Sequence, residues 1–141
     1  MCWCDDWHPY NLTGNITDKW VQHNIEIYEI IKKYEGHDKP VYFTEMGWSD
    51  YGNTDSDKEQ AKYLTDTLEA IKQHMPFVQT VHWFRLLNDE SAVTWGGEKE
   101  ANFGLMRETP DGFTPKEKGK AYYEAAGGKG DLYQFADPAQ N

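Results

Sequence analysis

The sequence predicts an α/β fold in which parallel strands alternate with helices. Short apolar runs typical of buried strands recur about every 38 residues along the 141-residue chain, and an amphipathic helical pattern follows each run. Strands joined through a helix run parallel to one another. No glycine-rich phosphate loop follows any of these strands, which favours a (β/α) barrel over a doubly wound nucleotide-binding sheet.

The first predicted unit opens the chain. Residues 2–8 read as a strand, and a helix is expected to begin at Thr17 or Asp18, because either residue is a good N-cap. Gly36 is expected to end this helix. The apolar positions that recur at helical spacing are Val21, Ile25, Tyr28 and Ile31.

The second predicted unit begins with a buried strand at 41–44. A polar loop is expected over residues 47–56, which are rich in Gly, Asp, Asn and Ser. Asp57 and Gln60 stand three residues apart as a capping box for the next helix, which Pro76 ends. The apolar face of that helix consists of Ala61, Leu64, Leu68, Ile71 and Met75.

The third predicted unit has a strand at 79–85 and then a long loop at 86–110. A last helix is expected to end near residue 127, with Thr114 as N-cap, Pro115 as first helical residue and Glu117 as capping-box partner. The prediction is therefore a partial TIM-type (β/α) barrel of about three parallel βα units.

In terms of domains, this partial barrel is expected to occupy residues 1–127, followed by a C-terminal tail at 128–141. A complete barrel has eight such units and typically about 250 residues. The chain is therefore much shorter than a whole barrel, and this is its largest difference from that fold.

The charge of the chain excludes several classes of partner. The sequence has 24 Asp and Glu against 14 Lys and Arg, a formal net charge of −10, whereas proteins that bind nucleic acid or anionic membranes need a basic surface. The 15% aromatic content excludes a disordered acidic tail. The acidic run at 50–59 is interpreted as a solvated loop and helix start. The first residues show neither the basic start nor the apolar stretch of a signal peptide.

Polar and aromatic residues mark the end of each predicted strand, where functional groups of parallel βα units collect. His8 and Tyr10 follow the first strand, Glu45 the second, and Trp83 and Arg85 the third. Strand alternation puts Glu45 on one face with Val41 and Phe43, and Trp83 on one face with Val81 and Arg85. If both faces line a barrel, these strand ends converge at its mouth. A Tyr hydroxyl and an Arg beside Glu45 would hold it ionised and suited to act as a nucleophile.

Two other sets of polar residues are not expected to form a functional site. A metal site built from Cys2, Cys4, Asp6 and His8 would stretch over about 20 Å of a single strand, so no metal or cofactor is predicted. His82 alternates with Trp83 and is expected to be packed towards a helix.

Several motifs, in this order and spacing, resemble the ends of strands six, seven and eight in clan A glycoside hydrolases. That clan comprises retaining (β/α)₈ barrels such as cellulases, mannanases and xylosidases. The resemblance covers about residues 2–126. The motifs are His8-Pro9-Tyr10, Val41-Tyr42-Phe43-Thr44-Glu45-Met46-Gly47-Trp48-Ser49, Val81-His82-Trp83-Phe84, Asn102-Phe103-Gly104-Leu105 and Thr114-Pro115-Lys116.

The resemblance implies a role for each matching residue. Glu45 matches the nucleophile that forms a covalent glycosyl-enzyme, and Tyr10 the tyrosine that hydrogen-bonds it. His8 matches a sugar-contacting histidine, and Trp83 the aromatic floor under the attacked ring. Trp48, Trp95 and Arg85 would extend this substrate-binding surface. The implied ligand is a β-linked oligo- or polysaccharide, and the implied parent enzyme is secreted.

The family's acid/base glutamate, which follows strand four, has no match in this chain. Retaining glycosidases need two carboxyl groups about 5–5.5 Å apart. Three hypotheses follow: a glycosidase fragment that is inactive alone, a non-catalytic carbohydrate-binding module, and a structural unit that oligomerises. Because the barrel-facing side of the sheet is expected to be apolar, we predict a homo-oligomer or a complement to the missing barrel units.

Overall fold

The computed structural model describes residues 18–51, 57–110 and 112–130, so the predicted strand at 2–8 and the tail from residue 131 lie outside the described residues. The elements alternate between helix and strand over most of this length. In chain order they are α1 (Asp18–Glu35), β1 (Val41–Met46), α2 (Asp57–His74), β2 (Val78–Trp83), a 3₁₀ turn (Glu90–Ala92), α3 (Val93–Ala101), β3 (Met106–Thr109), β4 (Gly112–Pro115) and α4 (Glu117–Ala125).

The two long helices agree with the sequence-based expectation. α1 ends before Gly36, whose φ of +74° is accessible to glycine at little cost. Tyr28 of its apolar face is buried and stacks on Phe77, with 3.8 Å between the ring centroids. In α2, Leu64 and Ile71 are buried. Helical periodicity therefore identified the faces that meet the core.

The sheet formed by β1 and β2 is parallel, and α2 connects the two strands. This βαβ unit confirms the α/β class and the parallel arrangement. Within the described ranges it is a sheet of two strands, so three parallel units are not confirmed; the strand expected at 2–8 falls outside those ranges.

The pairing of β1 with β2 is irregular at two places, and this changes which side chains share a face. Phe43 pairs with Val81 and Met46 with Trp83, so two residues of β1 stand opposite one residue of β2 between these pairs. Such a bulge interrupts strict alternation. As a result Glu45 is exposed, whereas Phe43 is half-buried.

The core lies between the sheet and the helices. Met46, Ile71 and Met75 form a buried core cluster, and half-buried apolar side chains from α1, α2, both strands and the turn before β2 pack against it. These are Trp20, Val21, Ile25, Phe43, Leu68, Phe77, Val78, Val81 and Trp83.

The sequence analysis predicted that the apolar side chains of the sheet lie on an uncovered face. This prediction was wrong for three strand residues. Phe43, Val81 and Trp83 pack on the helix side, against the core cluster. The strand residues that remain exposed are Tyr42, Glu45, Gln79 and His82. The expectation that His82 is packed was wrong as well.

The expected long loop at 86–110 is also corrected. It contains the 3₁₀ turn, α3 and β3, and β3 pairs with β4 in an antiparallel hairpin. Thr114 and Pro115 belong to β4 and do not start the last helix, whose N-cap is Lys116. Strands of four residues are too short to produce a recognisable alternation of apolar and polar positions.

The segment Phe103-Gly104 fastens this hairpin to the rest of the molecule. Phe103 is 1% exposed, and the backbone N–H of Gly104 donates to Asn88 Oδ1 at 3.0 Å. A Cβ at position 104 would lie 2.3 Å from the backbone nitrogen of Asn88. Among the described residues, no helix is both long and apolar enough to cross a membrane.

We predict that Gly104→Ala destabilises the chain by about 1–3 kcal/mol, because the added methyl group must displace backbone. Chemical denaturation measures the change. Gly128→Ala is the matched control, since its Cβ meets only the outer ring atoms of the Tyr123 side chain and no backbone. Equal stability of the two variants would contradict the packing of this segment.

Candidate functional site

Glu45 lies at the carboxyl end of β1, next to the buried Met46. The strand end is held by a hydrogen bond from the Phe84 N–H to the Met46 carbonyl, 2.9 Å long. Glu45 is exposed, whereas Phe43 of the same strand packs against the core cluster. A carboxylate in this position is accessible to a ligand that approaches the strand ends.

Trp83 and Trp48 form an aromatic pair at the same ends. Their rings meet edge to face with 4.6 Å between centroids, and Tyr122 of α4 lies 6.4 Å from Trp83. The Trp83 indole N–H donates to the Phe103 carbonyl at 3.3 Å. The Trp48 indole nitrogen is buried and finds no hydrogen-bond acceptor in the part of the chain described. Both indoles are half-buried.

Arg85 forms a cation–π cluster with the rings of Phe84 and Trp95. The guanidinium carbon lies 4.7 Å from the Phe84 ring centroid and 5.4 Å from that of Trp95. Asp89 accepts a hydrogen bond from Arg85 Nη1 at 2.5 Å and caps the 3₁₀ turn through the Ser91 N–H. The Ser91 hydroxyl, followed by Arg85, lowers the pKa of the Asp89 carboxyl.

Trp95 is the most exposed aromatic residue of this cluster. Its side chain is 64% exposed, although α3 and the neighbouring Arg85 hold its position. A large exposed ring held against a cation offers a flat surface on which the apolar face of a sugar can stack.

The structure brings some of the expected site residues together and separates others. Trp48 contacts Trp83, and Arg85 contacts Trp95. Glu45 is exposed while Trp83 packs against the core cluster, so these two do not share a face. His8 and Tyr10 lie outside the described residues.

A buried charged cluster, missed in the sequence, lies behind these loops. The Asp50 carboxylate accepts hydrogen bonds from both Lys116 and Lys118, whose side chains are 4% and 2% exposed. Lys118 also donates to the Trp48 carbonyl at 3.1 Å. Asp50 was expected in a solvated acidic loop, but its side chain is only 25% exposed. Sequence spacing carries no signal for this contact, because its partners are more than sixty residues apart.

Asn88 extends this Asp50 cluster to the loop that follows β2. Its side-chain oxygen accepts a hydrogen bond from Lys116 Nζ at 2.8 Å, and its amide donates to Asn102 Oδ1 at 3.1 Å. The loops after both strands are thereby joined to the start of α4. The segments that carry Trp48 and Arg85 are held in one arrangement.

The Asp50 cluster contains two cations and one carboxylate, so one positive charge is not balanced within it. Burial lowers the pKa of the Lys118 ammonium to about 8, and the nearby Lys116 contributes in the same direction while Asp50 opposes both. An excess buried charge is unfavourable, since the low-polarity interior disfavours the ionised form.

We predict that Asp50→Asn destabilises the chain by about 3–5 kcal/mol, because two buried ammonium groups lose their carboxylate. Lys118→Met is the control: it removes the excess charge while keeping an unbranched side chain, and it should be neutral or stabilising. Denaturant unfolding of both variants provides the measurement. A Lys118→Met variant that is as unstable as Asp50→Asn would refute this account.

We also predict that the unfolding free energy rises by about 2 kcal/mol between pH 7.5 and 9.5. Above pH 8 the folded chain releases the Lys118 proton. The unfolded chain retains this proton up to the usual lysine pKa, so the unfolded state binds more protons and stability increases with pH. The measurement stops at 9.5, because the raised pKa of Tyr28 lowers stability above pH 10. In Lys118→Met the increase should disappear.

The chain is similar in fold to several solved structures. Three similar solved structures are the apo form of beta-glucosidase 1317 and two mutants, E199Q and E199A, of a GH128 subgroup I endo-beta-1,3-glucanase from Amycolatopsis mediterranei. The last two are complexes with laminarihexaose and laminaripentaose. Sequence identities are 21%, 19% and 20%, and TM-scores are 0.49, 0.45 and 0.45, respectively.

These matches cover 83%, 84% and 79% of this chain but only 28%, 42% and 41% of the respective solved chains. The chain therefore spans less than half of the length of these structures. None of the curated proteins matches it. The family model for the glycosyl hydrolase catalytic core matches residues 7–122. Because this match covers most of the sequence, the chain belongs to the glycosyl hydrolase catalytic core family.

Proposed function

We propose that the chain is the nucleophile-bearing part of a retaining β-glycosidase that acts on a β-linked oligo- or polysaccharide. The observation that carries this proposal is the position of Glu45, an exposed carboxylate at the carboxyl end of β1 within the segment that matches the family model. In parallel βα units this is the end where catalytic residues collect.

In the proposed reaction the Glu45 carboxylate attacks the anomeric carbon, and the bond to the leaving oxygen breaks as a glycosyl ester forms. Water then hydrolyses the ester and restores the carboxylate. Tyr10 would donate a hydrogen bond to Glu45, and His8 would contact the sugar. The first step needs a proton on the leaving oxygen, and no residue of this sequence matches the family's acid/base glutamate.

The aromatic residues near the strand ends supply the proposed sugar-binding surface. Trp95 offers the most exposed ring and is held by Arg85. Trp48 is half-buried and would form a wall of this surface, and Trp83, which packs against the core cluster, would support the Trp48 ring from behind. Self-association, or pairing with a chain that supplies the other barrel units, is the route by which a second carboxylate would reach Glu45.

A binding function without catalysis is the second candidate, and the Arg85–Trp95 cluster favours it. The cluster needs no acid/base residue, because it contributes only stacking and hydrogen bonds. The two candidates differ in one observable: a covalent adduct on Glu45 forms only if the carboxylate is positioned for attack.

We predict that the chain hydrolyses a 2,4-dinitrophenyl β-glycoside, whose leaving group departs without acid assistance, and is inactive on unactivated oligosaccharides. Glu45→Gln should lower the rate on the order of 10⁴-fold, as loss of a nucleophile does. Glu90→Gln, a change at another exposed glutamate, should leave it unaltered. Mass spectrometry after treatment with a 2-fluoro-β-glycosyl fluoride should locate the adduct on Glu45. Absence of both turnover and adduct would leave only the binding candidate.

We further predict that Trp95→Ala weakens oligosaccharide binding about tenfold through loss of ring stacking. Isothermal titration with β-1,3- and β-1,4-linked glucose hexaoses and a β-1,4-linked mannose hexaose measures the affinity. Tyr34→Ala, at an exposed tyrosine on α1, is the control and should bind as the parent chain does. An unchanged affinity in Trp95→Ala would rule out this platform.

A further inference from the structure

The face of the β1–β2 sheet that lies away from the core cluster carries polar side chains in two cross-strand positions. The second and fifth residues of each strand are exposed, which selects Tyr42 and Glu45 from β1 and Gln79 and His82 from β2. The apolar neighbours of these residues pack against the core cluster on the other side. The exposed side chains therefore face the space that the helices leave open.

The strand register sets His82 beside Glu45. Phe43 pairs with Val81 and Met46 with Trp83, so His82 stands opposite the bulge formed by Thr44 and Glu45. Neighbouring strands are about 4.8 Å apart. Glu45 and His82 both point away from the core, so a ligand that reaches one lies within reach of the other.

The other exposed pair is more distant from the carboxylate. Tyr42 precedes Glu45 by three residues, and Gln79 precedes His82 by three, which separates the pairs by about 10 Å along the strands. This distance exceeds the width of one sugar ring. Of these strand residues, His82 is the one that can contact the ring attacked by Glu45.

The chemistry of imidazole suits such a contact. A neutral histidine has one donor and one acceptor nitrogen, which matches a pair of sugar hydroxyls. The ring of His82 makes no hydrogen bond with any residue that the structure describes, and a buried core position is not its role because it is exposed. His82 is exposed between the half-buried Val81 and Trp83, so its polar ring is directed to a ligand that approaches β2 and not to the packing of the strand.

We propose that His82 is a sugar-binding residue that hydrogen-bonds a hydroxyl of the β-linked sugar ring at Glu45. This rests on the proposed function, since it assigns a second polar contact within the same site. His82 acts on the bound ring and not on the fold, because its side chain is exposed. It therefore contributes to affinity and to selection among sugars with different hydroxyl arrangements.

The test compares His82→Ala with the matched control Gln79→Ala, which changes the same face at the opposite strand end. Titration uses the two glucose hexaoses and the mannose hexaose. We expect the dissociation constant of the best ligand to rise about three- to tenfold in His82→Ala, the effect of one hydrogen bond. Gln79→Ala should change it less than twofold. Denaturant unfolding should show equal stability in both variants.

A second measurement separates a direct contact from an indirect effect. Adding the best hexaose should shift the ring proton resonances of His82, assigned by their loss in His82→Ala. Binding that is weakened in Trp95→Ala but unaffected in His82→Ala, without any shift of the ring signals, would overturn this inference and leave the proposed function intact. A parent chain that binds none of the hexaoses would overturn both. Equal weakening in His82→Ala and Gln79→Ala would also overturn the assignment.

Discussion

The pairing of β1 with β2 is the constraint on which the rest of the structure depends. Parallel pairing through α2 brings both carboxyl strand ends to one edge, and the bulge between the Phe43–Val81 and Met46–Trp83 pairs decides which side chains face the helices. One extra residue on β1 is enough to turn Glu45 to the open face while Phe43 stays against the core cluster. A site of this kind owes its geometry to backbone hydrogen bonds before any functional side chain contributes.

The Asp50 cluster extends this constraint from the strands to the loops. Lys116, the N-cap residue of α4, and Lys118 of its first turn both bind the Asp50 carboxylate from the loop after β1, and Asn88 connects the loop after β2 to Lys116. The arrangement costs desolvation of three charged groups; this burial, with a smaller contribution from the nearby Lys116, lowers the pKa of Lys118. Such a cluster adds little net stability compared with an apolar core, but it connects the loop that carries Trp48 to the start of α4. In the proposed function, this cluster supports the sugar-binding surface from the side that faces the core.

Glu45 connects the family assignment with the proposed chemistry. The glycosyl hydrolase catalytic core model covers residues 7–122, and Glu45 lies within it at the strand end where such a fold collects its functional groups. In the proposed function, two groups of residues bind two different sugar rings. Glu45 and His82 contact the ring that is attacked, and Arg85 with Trp95 contacts a ring further along the saccharide. The sequence motifs predict only one of the two carboxyl groups of a retaining glycosidase, so in this proposal the activity depends on the leaving group or on another chain.

The sequence by itself determined α1, α2, both parallel strands and the place of Glu45 at a strand end. Helical periodicity, capping residues and apolar runs are local signals, so residues such as Tyr28, Leu64 and Ile71 could be assigned to the core without tertiary information. Only the tertiary structure decided that Trp83 packs inward, that His82 is exposed, that β3 pairs with β4, and that Asp50 is bound by Lys116 and Lys118. Strand register, a bulge and a long-range ion pair depend on the position of a partner that is distant in sequence, and local composition contains no information about that position.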